Sequence, residues 1–124
     1  YWAENNVGWL PYFGEQIDKE YETNHFWAEK KMGLPRLKRK PSEYLKENAR
    51  WGFFEDRIGM KLRHEIGVDR IMWSTDFPHI VTRWPNSLKT LDEQMTGVPD
   101  TERSKMVADN AIQFFHLDHV AASA

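Results

Sequence analysis

The stretch from Gly67 to His79, Gly-Val-Asp-Arg-Ile-Met-Trp-Ser-Thr-Asp-Phe-Pro-His, constrains the fold of this chain more than any other. A glycine closes a helical pattern, a short apolar run follows, and the run ends in an acid before Pro78 and His79. Apolar runs of this length between helices read as parallel strands buried on both faces. The expected strand is Arg70 to Thr75. In parallel α/β folds the ligand sits at the carboxyl ends of the strands, and Asp76 falls there. A carboxylate in that place is either a catalytic or metal-binding group or an ordinary cap on the next loop. Spacing alone leaves both open.

The rest of the chain alternates in the same way. Tyr1 to Asn6 resembles the end of a strand. Pro11 suits a first helical turn, and Leu10, Phe13, Ile17 and Tyr21 recur at steps of three and four, an amphipathic stripe. This helix is expected to run to about Lys31 and to stop at Gly33-Leu34-Pro35. A second helix begins at Pro41, with Ser42 as its expected cap. Ala49 to Phe54 is strand-like. Asp56 opens a helix bearing Ile58, Leu62 and Ile66, closed by Gly67. Asn86 or Ser87 caps a helix with Leu88, Leu91 and Met95, and Pro99-Asp100 introduces the last helical region. Strands separated by helices imply right-handed crossovers and a parallel sheet. About three strands would leave both sheet edges open, so the pattern suggests part of something larger.

Composition narrows the function. The chain has 124 residues, 40% hydrophobic and 29% charged, ordinary for one globular domain. Its formal charge of -2 gives no electrostatic case for nucleic acid. The basic run from Arg36 to Lys40, with Lys30 and Lys31 before it, reads as a solvated surface. Cysteine is absent, which excludes disulfides and thiolate metal sites and leaves His, Asp and Glu as possible ligands. No apolar stretch approaches the ~20 residues that span a bilayer, and no membrane partner is expected. A cytoplasmic location is the expectation. The sequence starts at Tyr1 rather than Met, within an apolar-aromatic phrase, and so is expected to be a piece of a longer chain.

Several phrases together carry a family resemblance. These are Glu4-Asn-Asn-Val-Gly-Trp-Leu-Pro-Tyr-Phe13, Lys40-Pro-Ser-Glu-Tyr44, Phe53-Phe-Glu-Asp56, Asp69 through His79, Trp84-Pro-Asn-Ser87, and Asn110-Ala111 before an aromatic pair. In this order they resemble the amidohydrolase-related family, amidohydrolase 2, which includes aminocarboxymuconate-semialdehyde decarboxylase and its relatives. The resemblance implies a (β/α)8 barrel of which residues 1–117 form the C-terminal part, about the last three β/α units. Residues 118–124 are expected to be a frayed tail.

The resemblance also implies chemistry. A divalent metal, usually zinc, lies at the carboxyl end of such barrels, and an acid after strand eight binds it or takes a proton from its water. Asp76 matches that position, as catalytic group and metal ligand. The family's other ligands are a His-x-His pair on strand one and a histidine on strand five. This sequence has no His-x-His, so a complete zinc site, which takes three protein ligands, is expected to need residues from outside it. His79, Glu4 and Trp84 are the candidates for substrate contact. Each has a plainer alternative: a loop-structuring histidine, a helix-entry acid and a packing aromatic. His25 and His64 read as solvated, and the spacing of His116 and His119 falls where the chain frays.

The expected function is thus the C-terminal portion of a metal-dependent hydrolase or decarboxylase (a carbon–carbon lyase) for a small carboxylated, perhaps aromatic-derived, substrate. The isolated chain is expected to be inactive. The alternative is a non-enzymatic truncated or assembly subunit that buries its open edges by self-association or against the missing barrel portion.

Overall fold

Trp51–Phe53 (β1) and Ile71–Trp73 (β2) pair in parallel, with Trp51 opposite Ile71, Gly52 opposite Met72 and Phe53 opposite Trp73. The Ser74 amide donates to the Phe53 carbonyl at 2.9 Å and carries the ladder one step further. This computed structural model describes residues 1–117; the reading of 118–124 as a frayed tail, and that of His119, lie outside the described residues.

Both strands are shorter than their apolar runs, and the first expected strand shrinks to one residue. Trp2 bridges Trp51 in parallel. Its amide donates to the Arg50 carbonyl at 2.9 Å, and its own carbonyl accepts from the Gly52 amide at 2.7 Å. Pairing stops there because Glu4 and Asn6 adopt left-handed φ angles of 56° and 49°, which no ladder accommodates. Spatial order is therefore Trp2, β1, β2. Side chains alternate across strands. Trp51, Phe53 and Ile71 join Val7, Met60, Ile66, Leu91, Met95 and Met106 in the core. Gly52 points the other way, where a Cβ would come within 2.4 Å of the Tyr1 hydroxyl oxygen.

The helices explain the remaining differences. Leu10–Met32 (α1) carries proline in its first turn and ends at Gly33, φ 66°. Pro41–Asn48 (α2) follows. Ser42 is not its own helix's cap. Its amide and hydroxyl both donate to the Asp18 carboxylate of α1, at 2.9 and 2.7 Å, so a neighbouring helix supplies the acceptor. The single helix expected from Asp56 to Ile66 is two, Arg57–Lys61 (α3) and Arg63–Ile66 (α4), broken at Leu62. At the break the Arg63 guanidinium donates to the Met60 carbonyl at 2.9 Å.

After β2 come Ser87–Gln94 (α5), Asp100–Ser104 (α6), a π-helical turn at Lys105–Asp109, and Asn110–Phe115 (α7). Asn86 occupies the cap position of α5, but its side chain makes no cap hydrogen bond. Asn110 is buried, and its amide nitrogen donates to the carbonyls of Val68 and Ile71 at 2.8 and 2.9 Å. That pair of bonds ties the last helix to the entry of β2. No helix among the described residues is long and apolar enough to cross a membrane.

Candidate active site

Asp76 lies three residues beyond the end of β2, with φ 53°. Asp is among the few residue types that enter the left-handed region readily. The turn is held locally. The Asp76 carbonyl accepts from the His79 amide at 2.8 Å, and the Thr75 hydroxyl accepts from the Phe77 amide at 3.3 Å. The Asp76 side chain is only 15% exposed, and His79 Nδ1 lies 2.9 Å from its Oδ2. A carboxylate only accepts, so Nδ1 is the donor and Nε2 is left outside this bond.

Glu4 reaches the same place from the other side of β1. It sits in the turn that follows the Trp2 bridge. The Trp9 indole nitrogen staples this turn by donating to the carbonyls of Asn5 and Asn6, at 3.2 and 3.1 Å. Asp56 then fixes the turn to the exit of β1. Its Oδ2 accepts from the amides of Val7 and Gly8, at 2.5 and 2.7 Å, and its Oδ1 caps α3 by accepting from the Gly59 amide at 2.7 Å. The Gln94 side chain of α5 links the same exit to the last third of the chain. It accepts from the Asp56 amide at 3.0 Å and donates to the Phe54 carbonyl at 2.8 Å.

Three of the four sequence-derived candidates therefore meet. One ligand atom from each of Glu4, Asp76 and His79 lies within 4.8 Å of the others. Donors around a tetrahedral zinc stand roughly 3.4 Å apart, from metal–ligand distances of about 2.0–2.2 Å, and here His79 Nδ1 and Asp76 Oδ2 are engaged with each other at 2.9 Å. One imidazole with two carboxylates is a donor set that divalent first-row metals accept. Trp84 stands apart. It is exposed and packs edge-on against Phe77, with ring centroids 5.6 Å apart. Of the other histidines, His25 contacts the Tyr21 and Glu22 carbonyls of its own helix, and exposed His64 faces Glu102 at 3.4 Å.

Asp56 is the organising residue that its sequence position undersold. The helix cap was legible, since an acid precedes an apolar-periodic stretch. Its bonds to amides 48 and 49 positions earlier carry no local signal.

Parallel pairing across a helical crossover, with an acid just after the last described strand, fits a parallel α/β fold. Residues 15–117 match the family described as Amidohydrolase, and the chain belongs to that family. It is similar in structure to 5-carboxyvanillate decarboxylase from Sphingomonas paucimobilis, with a TM-score of 0.66 and 22% identity over 87% of this chain. The chain spans 31% of the length of that decarboxylase, which accords with part of a barrel. No curated protein matches the sequence.

Proposed function

We propose that this chain forms the C-terminal strands and helices of a metal-dependent barrel enzyme that hydrolyses or decarboxylates a small carboxylated molecule. The observation that carries this reading is the shielded Asp76 carboxylate beyond β2, oriented by His79 and approached by Glu4. The known action of the similar decarboxylase on a carboxylated aromatic compound, as its name states, supports the substrate class. A divalent metal, when bound, lowers the pKa of its water from 15.7 to about 7. Asp76 is the ligand and proton acceptor in this proposal. His79 holds the Asp76 carboxylate in place and presents Nε2 outward, Glu4 contributes negative charge at the rim, and Trp84 with Phe77 offers an apolar wall for substrate. Zinc, a cytoplasmic location and assembly with the remaining barrel portion belong to the same proposal.

The test is metal content and turnover of the protein in its full-length context. Activity against a panel of aromatic carboxylates is expected to vanish on chelation and to return with zinc. Undiminished activity after the metal is stripped overturns the proposal.

A second reading is favoured by one observation. Trp2, Phe77, Ile80, Trp84 and Leu88 are all exposed, Ile80 at 94%. A non-enzymatic subunit that buries these groups against another chain fits that surface. It predicts no bound metal and a stable assembly whose formation does not depend on Asp76.

A further inference from the structure

A cavity whose lining does not include Asp76 lies between α3 and the end of α5, with a volume of about 400 Å³. That size is within the range of small-molecule sites, roughly 300–1,000 Å³. Arg57 and Lys61 both line it, one helical turn apart on the five-residue helix α3. Like charges at that spacing repel and cost helix stability. Among the described residues no acid lies within ion-pair distance of either.

The other charged groups at the cavity, the acids Glu55 and Glu93 among them, each have a partner of opposite sign. Glu55 pairs with Arg83 at 2.7 Å, Glu93 with Lys89 at 3.9 Å, and Arg63 with Glu102 at 2.6 Å. The excess is therefore positive and belongs to Arg57 and Lys61. Beneath them lie the buried Met60 and the half-buried Val98, and Thr90 brings a hydroxyl to the wall.

We infer that this cavity binds a small organic oxyanion. Its anionic group bridges the Arg57 guanidinium and the Lys61 ammonium. Its apolar body lies on Met60 and Val98, and Thr90 offers a further donor. Phosphate esters and dicarboxylates share this chemistry. The site is independent of the Asp76 centre and does not rest on the proposed function.

Isothermal titration of the full chain at constant ionic strength tests it, with inorganic phosphate, phenyl phosphate and phthalate as probes. Saturable binding of phenyl phosphate, tighter than inorganic phosphate, is expected from the apolar floor; the relative affinity of phthalate tells an ester-type from a dicarboxylate-type site. The double variant R57Q/K61Q is expected to weaken binding roughly tenfold or more, the effect of losing two charge-assisted hydrogen bonds. The control R36Q/K38Q removes two cations from the basic loop and is expected to leave binding unchanged. Each single change, R57Q or K61Q, is expected to give a partial loss. No saturable heat with any probe, equal affinity for inorganic and phenyl phosphate, or equal loss in the control overturns the site.

Discussion

The Asp56 carboxylate accepts a hydrogen bond from the Gly8 amide at 2.7 Å, across 48 positions of sequence. With the Val7 and Gly59 amides it gathers three backbone donors onto one side chain. The turn that carries Glu4 and the loop that leaves β1 are thereby one unit.

Replacing Asp56 with alanine orphans all three donors. The loss is expected to be about 2–4 kcal/mol, from a lost cap plus unsatisfied part-buried amides. Urea denaturation measures it, and amide exchange should quicken at Val7 and Gly8. A loss below about 0.5 kcal/mol, the usual size for surface changes, would mean that Asp56 is not the organiser of this unit.

Gly59→Ala tests the close approach of α3 to the N-terminal turn. Alanine favours helices over glycine by about 1 kcal/mol. Here its Cβ would lie 2.5 Å from Val7 Cγ2 and 2.7 Å from Asp56 Oδ2. Overpacking of this kind costs about 1–3 kcal/mol, so net destabilisation is expected in a thermal melt. A raised melting temperature would show that the contact gives way freely.

If the proposed function holds, Asp76→Asn in the full-length context is expected to cut turnover by about 10²–10⁴-fold while the circular dichroism spectrum stays unchanged, because Asn keeps the shape but cannot take a proton. His79→Ala is expected to cost less, since it removes only the group that holds the carboxylate. Turnover within a few-fold of wild type in the Asp76 variant would take that residue out of the mechanism.

Acid stability is expected to depend on Glu102. The hydrogen bond from Arg63 holds its carboxyl below the ordinary value of 4.5. A group depressed in the folded state stabilises above its unfolded pKa, and that contribution is lost as pH falls through the folded value. Glu102→Gln is therefore expected to lower stability at neutral pH and to flatten the decline below about pH 4.5, measured by chemical denaturation across pH. An identical pH profile in both proteins would discount the pair.

The isolated chain is expected to associate. Among the described residues its sheet has two strands and one bridge, and Trp2, Phe77 and Trp84 are exposed. Light scattering after size exclusion reads this directly. A clean monomer with a cooperative melt would show that these residues close a core unaided.

Element order and type were legible because periodicity and punctuation are local. Gly33 and Gly67 do stop their helices, at φ 66° and 105°, and Asp56 does cap one. Strand lengths were not legible. A run such as Arg70–Thr75 reports burial, whereas ladder length depends on what the neighbouring strand's backbone does. Ser42 illustrates the same limit, since its cap-like chemistry is directed to Asp18, 24 positions away. The place of Asp76 after a strand was readable from the apolar run and the Pro78 break. Glu4 was a candidate there too; the two left-handed residues that shape its turn carried no signal.

Asn110 has a bearing on how this protein ages. Its buried amide gives both hydrogens to carbonyl oxygens. Deamidation would put an acceptor where two donors are required, and would bury a charge without a partner. Hydrolytic attack needs the helix to open, and the product would oppose its closing again. The loss of Asn110 is therefore limited to the fraction of time that α7 stands open, and each event weakens the helix that shields the residue.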